Sequence, residues 1–372
     1  MGTIEFELRV MTAMTSNDIG HIQTVKQAVK NTNCAARRRA DGQRGGVIRG
    51  ILLFIFGLFL LSAIAVGAGG FLAYKEIHRA GPLTEETVIL LESGSSVNEI
   101  ASLLESVGVI RHAELFNAAV RWRKAQGSLK AGEYRFAPGV NVVQVIDILV
   151  DGSSILHFVT IPEGRTTAQI MEIIKADPVL TGEISFEPRE GILLPETYGF
   201  TRGETRDALL KRMAIAQESV ITSLWESRQA ELPLANPREA LILASIVEKE
   251  TGVAGERKRI ASVFINRIRK GMRLESDPTI IYGLTGGEPL GRGLRASEIR
   301  GETPYNTYVI RGLPPTPICN PGRASIEAVL DPAQTDDIFF VADGSGGHAF
   351  AKTLREHNNN VKKWREIERQ RR

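Results

Sequence analysis

The stretch Asn236-Pro-Arg-Glu-Ala-Leu-Ile-Leu-Ala-Ser-Ile-Val-Glu-Lys-Glu-Thr-Gly252 reads as one helix with marked ends. Asn236 is its N-cap, Pro237 its first helical residue and Glu239 the partner of a capping box. Gly252 is the stop. Leu241, Ala244, Ser245 and Glu248 recur at helical spacing and share one stripe. Glu248 therefore belongs to an otherwise packed face, whereas Glu250, two residues on, points elsewhere. A carboxyl held against apolar surface keeps its proton to higher pH. Such a group can protonate a leaving oxygen near neutrality, which makes Glu248 a candidate general acid. The plainer reading of the same residue is a half-exposed glutamate at a helix end.

Around this helix, helices and strands alternate without a regular βαβ repeat, so the fold class is α+β. Glu256 to Lys270 predicts a second helix, with Ile260, Val263, Phe264 and Ile268 apolar and Gly271 as the stop. Thr205 to Arg228 predicts a long amphipathic helix and Thr166 to Lys175 a shorter one. Leu156 to Ile161 and Ile338 to Ala342 read as strands, the second followed by the glycine loop Gly344–Gly347. These elements make a larger α+β domain over residues 156–372. Ahead of it, residues 84–155 read strand, helix, helix, strand, with a third helix from Val142 to Val150: a small α/β module.

A charge-free run from Gly50 to Tyr74 follows Arg37, Arg38, Arg39, Arg44 and Arg49. It is long enough to span a bilayer once. A transmembrane helix is expected over residues 47–74, with residues 1–46 a cytoplasmic tail and everything after Lys75 outside. Ala63-Ile-Ala65 resembles a signal-peptide cleavage site, but the basic leader and the apolar run are both long for one, which favours an uncleaved anchor. The chain carries 46 basic and 43 acidic side chains among 372 residues. That near balance gives no reason to expect nucleic acid as a partner. Cys34 and Cys319 fall on opposite sides of the membrane and cannot pair; Cys319 reads as a small buried residue.

Downstream of the opening helix come Gly271-Met-Arg-Leu-Glu-Ser-Asp-Pro-Thr-Ile-Ile-Tyr-Gly283, Tyr305-Asn-Thr-Tyr308, Gly312-Leu-Pro-Pro315 and Ile318-Cys-Asn-Pro-Gly322. Together with Ser-Ile-Val-Glu-Lys-Glu-Thr (245–251), Ala-Ser-Val-Phe-Ile-Asn-Arg (261–267) and Phe-Val-Ala-Asp-Gly-Ser-Gly-Gly-His (340–348), this ordered set resembles the endolytic murein transglycosylase, or YceG-like, family. The resemblance covers Val88 to Trp364. It implies a lytic transglycosylase that cuts the β-1,4 bond between N-acetylmuramic acid and N-acetylglucosamine in nascent peptidoglycan and terminates strand elongation. The family's single acid/base glutamate falls on Glu248. The resemblance also implies a LysM-like character for residues 84–155, an inner-membrane anchor with a periplasmic catalytic domain, and penicillin-binding proteins as partners. No cofactor is implied.

Other side chains are candidates for holding the sugar. Glu196 can orient it or tune Glu248. Asp277 precedes Pro278 in a turn, where it either faces the substrate or caps a helix from Thr279 to Gly283. Asn266 and Arg267 carry donors for the N-acetyl or lactyl groups, although Arg267 could equally pair with Glu256 or Glu275. Tyr305 and Asn306 offer a ring for a sugar face and an amide for an acetamido group, with Tyr308 assigned to the core. His348 is expected to pack or hydrogen-bond near the cleft. The spacing of Asp343, His348 and His357 matches no zinc pattern, and no metal is assigned. The serious rival is a noncatalytic peptidoglycan-binding or scaffold protein of the envelope.

Overall fold

The computed structural model describes residues 49–371. The expected cytoplasmic tail, its arginine cluster up to Arg44 and Cys34 lie outside the described residues. Helix α1, Arg49–Ile77, runs for 29 residues with a mean hydropathy of 2.7 over its most apolar window. At about 1.5 Å per residue it reaches about 43 Å, more than the roughly 30 Å hydrocarbon core of a bilayer. By length and composition it is a single candidate membrane span. The described residues up to Ala80, with Asn141–Val143, make one compact unit; Gly81–Val140 with Gln144–Arg372 make the other.

In the second unit the chain first forms β1 (Thr87–Leu91), α2 (Val97–Ser106), α3 (Ala113–Trp122) and β2 (Gly132–Phe136), and then enters α4 (Val142–Asp151). β1 and β2 pair antiparallel, with Ile89 opposite Tyr134. Ser96 caps α2 in a full capping box with Glu99. The strand–helix–helix–strand order read from the sequence is thus present; its likeness to a LysM module rests on that order alone. Glu133 of β2 ties this part to the next, meeting His157 at 2.7 Å and Arg202 at 3.1 Å.

The next part is β3 (Leu156–Thr160), α5 (Thr167–Ala176), β4 (Thr197–Thr201) and α6 (Arg206–Glu226), with β3 and β4 antiparallel. Ile161, Ile170, Ile174, Leu193, Phe200, Leu209, Leu210 and Met213 make its core. Then come α7 (Pro237–Glu250), α8 (Arg257–Arg269), α9 (Asp277–Thr285), α10 (Ala296–Ile299), α11 (Arg323–Leu330), the antiparallel hairpin β5 (Phe339–Ala342) and β6 (His348–Ala351), and α12 (Leu354–Gln370). A second core gathers α7, α8 and α11 through Leu243, Ile246, Val247, Phe264, Ile265, Ile326 and Val329. The described residues thus mix helices with three two-stranded sheets, an α+β fold.

Helix α7 starts as its sequence says: the Asn236 side chain accepts from Glu239 N–H at 3.0 Å, with Pro237 at the first position. The capping box is offset, since the Glu239 carboxylate accepts from Ala235 N–H at 2.8 Å rather than from Asn236. The helix is buried all round from Ile242 to Val247. A single packed stripe therefore does not distinguish Glu248 from its neighbours. Gly271, with φ +65°, closes α8 in the left-handed conformation that glycine allows.

Candidate active site

Two glutamates leave the C-terminal turn of α7 toward different surroundings. Glu248 lies half-buried, and its carboxylate accepts from Gly322 N–H at 2.9 Å. Gly322 is the N-cap of α11, so a negative charge there complements the positive end of that helix. Glu163 lies beside it. Burial raises the Glu163 pKa, the Glu248 carboxylate adds to the rise, and Arg257 at 3.6 Å opposes it.

Glu250, which the sequence reading sets aside, meets a different group. Ser276 Oγ donates to its carboxyl at 2.5 Å. Burial pushes the Glu250 pKa up to about 7; the Ser276 bond draws it partly back, Asp277 adds to the rise, and His348 and Arg267 oppose it. The side chain is nonetheless partly exposed, as a group that meets substrate must be. Asp277 accepts from Tyr308 Oη at 2.7 Å. Burial raises the Tyr308 pKa, and the bond to Asp277 reinforces this. The cluster therefore holds a carboxyl ready to donate near neutral pH, a neighbouring carboxylate and a phenol.

The predicted site residues divide. Asp277, His348 and Arg267 all bear on Glu250 through charge, Asp277 raising its pKa and the other two lowering it. Asp277 does not cap a helix at Thr279: it is itself the first residue of α9, and Ser276 occupies the N-cap position with its hydroxyl given to Glu250. Arg267 is 7% exposed and its donors are committed, Nε to Ile338 O at 2.7 Å and Nη1 to Leu274 O at 2.8 Å and Glu275 at 3.1 Å. Glu275 is thus the ion-pair partner, and Arg267 acts on the site by charge and by bracing the 273–275 segment.

Asn266 and Asn306 make contacts that the sequence reading did not anticipate. The Asn266 amide donates to Thr335 O at 2.7 Å and Asp337 O at 3.0 Å. Asn306 is fully buried; its amide donates to the carbonyls of Ile299 at 2.9 Å and Gly301 at 2.7 Å, and its oxygen accepts from Tyr308 N–H at 3.0 Å. The amide nitrogens of both are thus committed to backbone carbonyls. Tyr308, assigned to the core, reaches Asp277 instead. Tyr305 shares a hydrogen bond with Thr316 at 2.8 Å and packs edge-on against Tyr282 at 4.9 Å. Glu196 stands exposed just before β4.

Three well-connected polar side chains escaped the sequence reading. Ser276 and Glu256 both occupy helix N-cap positions yet make no side-chain cap bond. Glu190 is the third. It accepts from Thr167 N–H at 2.8 Å, Thr167 Oγ1 at 3.1 Å, Asn320 Nδ2 at 3.1 Å and Tyr282 Oη at 3.1 Å, and burial still raises its pKa. A serine or glutamate just before a helix is a legible signal; Glu190's partners, all remote in sequence, are not. Cys319 is buried, donates to Ser245 O at 3.4 Å, and burial raises its pKa. Among the described residues no three His, Cys, Asp or Glu side chains are grouped as a metal ion requires.

Residues 89–363 match the model of the YceG-like family. The chain belongs to the YceG-like family. The match agrees with the Val88–Trp364 span read from the motifs. An endolytic murein transglycosylase of Bacillus subtilis is 32% identical over 307 residues, covering 74% of this chain and 84% of the relative. An endolytic murein transglycosylase of Streptococcus pneumoniae is 26% identical over 356 residues, covering 82% of this chain and 64% of that longer relative. A crystal structure of a YceG-like protein from Listeria monocytogenes is 32% identical and covers 74% of this chain and 98% of its own, at a TM-score of 0.47. Superposition at that score adds nothing to the description of this YceG-like fold.

Proposed function

We propose that this chain is a membrane-anchored peptidoglycan transglycosylase in which Glu250 first gives and then regains a proton. The observation that carries this reading is the Glu250 carboxyl, pushed up to about 7 within reach of Ser276 and beside Asp277. The relatives' shared name supplies the substrate, murein, and the endolytic mode of cutting. The bond cut is the β-1,4 link between N-acetylmuramic acid and N-acetylglucosamine.

Glu250 delivers its proton to the bridging oxygen as the muramyl C1–O bond breaks, and the N-acetylglucosamine part leaves with a 4-hydroxyl. The muramyl 6-hydroxyl closes on C1, and the Glu250 carboxylate takes the hydroxyl proton. The product is a 1,6-anhydro end; no water is consumed and Glu250 returns to its starting form. The nucleophile belongs to the same sugar, so attack is intramolecular. A proton affinity near neutrality serves both halves of the cycle. A hydrolase would use a second carboxylate to activate water or attack carbon. Here Asp277, held by Tyr308, keeps the proton on Glu250 and offsets positive charge developing at C1. Helix α1 anchors the enzyme in the inner membrane with the catalytic part outside, beside newly made glycan.

Glu248 is the second reading, carried by its helical stripe in the sequence; its carboxylate already accepts from Gly322. The full-length protein in detergent, its Glu250→Gln variant and its Glu248→Gln variant are incubated with purified peptidoglycan, and the released sugars are weighed by mass spectrometry. Anhydromuramyl ends from wild type and Glu248→Gln but not from Glu250→Gln are the expected result. Loss in Glu248→Gln alone overturns the assignment to Glu250. Reducing ends identify a hydrolase, and no cleavage by folded, glycan-bound protein returns the scaffold reading.

A further inference from the structure

Strands β3 and β4 turn one face to the core and leave the other open. Val159 and Phe200 point inward and are buried. On the open face Leu156 stands opposite Thr201, Phe158 opposite Gly199 and Thr160 opposite Thr197. Leu156 is 55% exposed and Phe158 64%. Ile161 N–H donates to Glu196 O at 3.0 Å, and hydrogen-bonded pairs alternate along an antiparallel ladder. Phe158–Gly199 and Thr160–Thr197 are therefore the close, unbonded pairs, whose side chains approach most nearly. The two threonine hydroxyls share a hydrogen bond at 2.9 Å. The Phe158 ring leans across to Gly199, where a Cβ would stand 3.2 Å from Cε1 and 3.6 Å from Cδ1. The bare glycine is thus the floor on which the ring rests. Arg212 Nη2 donates to the Gly199 carbonyl at 2.8 Å, so the edge of β4 is closed to another strand there.

The same strand leads into the candidate active site. Beyond Thr160 the chain runs through Ile161, Pro162 and Glu163 to Gly164, which packs on the last turn of α7. A Cβ at Gly164 would meet Glu248 Cγ at 3.6 Å, and Lys249 Nζ donates to the Gly164 carbonyl at 3.4 Å. From Phe158 to Gly164 the chain reaches at most about 21 Å. Resting on the reading of this chain as an enzyme that cuts glycan strands internally, we propose that Phe158 is a platform for a sugar ring of the bound strand, away from the bond that breaks. An enzyme that cuts within a polymer holds sugars on both sides of the scissile bond. A pyranose presents a face of C–H groups that packs on an aromatic ring, and a rim of hydroxyls that seeks hydrogen bonds. The open face offers both: an exposed ring, and a pair of threonine hydroxyls between it and α7. Leu156 and Phe158 are the only hydrophobic side chains among its six facing residues, a narrow patch for a lipid or protein surface.

The test is cleavage and binding of soluble, uncross-linked glycan strands fractionated by length, with the full-length protein in detergent. Phe158→Ala is expected to raise KM on long strands by about fivefold or more, with the loss falling on KM rather than kcat. The penalty should shrink as strands become too short to span from the cleavage site to the ring. Phe158→Trp should restore tight binding of long strands. Gly199→Ala lifts the ring while keeping it and should reproduce the loss, which covers a Phe158 variant that folds poorly. A long-strand KM unmoved in both Phe158→Ala and Gly199→Ala, or a loss equal at every length, overturns the proposal. So does a change of sedimentation in Phe158→Ala, which would assign the face to a second copy, or a loss seen in lipid nanodiscs but not in detergent, which would assign it to the membrane. Binding read without turnover separates the two levels. Wild-type release of anhydromuramyl ends with KM indifferent to Phe158 removes the platform alone. Phe158-dependent binding of long strands without any cleavage keeps the platform and removes the transglycosylase reading.

Discussion

Glu250→Gln separates the folding consequence of the proposed acid from its chemical one. Burial lifts the folded-state pKa from 4.5 to about 7, so the fold binds this proton more tightly than the unfolded chain does. Protonation of Glu250 therefore favours the fold fully below pH 4.5, and that contribution is lost as pH rises through about 7. At about 1.4 kcal/mol per pH unit of displacement, the ionised carboxylate costs the fold about 3 kcal/mol in alkaline solution relative to acid. Glutamine never ionises and keeps an oxygen to accept from Ser276, but its amide is an imperfect copy of a carboxyl, costing about 1 kcal/mol. The variant is expected to be about 2 kcal/mol more stable than wild type near pH 8.5, roughly 5 °C in Tm for a domain of this size. Near pH 4.5, where wild type holds its proton, the variant should melt about 2 °C lower. Thermal melts of both full-length proteins across this pH range measure the crossing. A Tm difference that does not change with pH would refute the reasoning, because Glu250 would then hold its proton no more tightly in the fold than outside it. A variant that gains alkaline stability while losing cleavage is what a carboxyl retained for chemistry against its folding cost should produce.

Other perturbations test the surroundings. Ser276→Ala removes a hydrogen bond that draws the Glu250 pKa down, so the alkaline limb of kcat/KM should rise by about half a pH unit. Its cost in stability should stay below about 1 kcal/mol, because the hydroxyl does not cap α9; an unmoved limb counts against the bond. Glu190→Ala leaves donors of Thr167, Asn320 and Tyr282 unmatched and should destabilise the fold by about 3 kcal/mol in chemical denaturation. A change under about 1 kcal/mol would mean that water replaces the carboxylate there. Glu248→Gln keeps an acceptor for Gly322 and removes only the charge at the start of α11. It should cost about 0.5 kcal/mol and leave cleavage close to wild type.

Much of the architecture was legible because its signals are local. Ser96 with Glu99, Thr166 with Gln169, and Asn236 with Pro237 mark helix starts through bonds made within one turn. Gly271 marks an end through a conformation other residues avoid. The apolar run that became α1 needs only composition and length. Local rules likewise established that Glu248 and Glu250 face different ways.

Which partners the two glutamates meet was decided only in three dimensions. α7 is buried all round before it reaches them, so its periodicity marks no face as the one toward substrate. What arrives from elsewhere sets their contacts: Gly322 at the start of α11 meets Glu248, and Ser276 at the start of α9 meets Glu250. The same holds for the amides of Asn266 and Asn306, suited to a sugar by type but occupied by carbonyls that the fold delivers. The sequence by itself determined many of the helices, the long apolar N-terminal helix and the family motifs, because caps, hydrophobic runs and short phrases are written in consecutive residues. Only the tertiary structure decided that burial raises the Glu250 pKa, because desolvation and neighbouring charge depend on segments that meet across the fold.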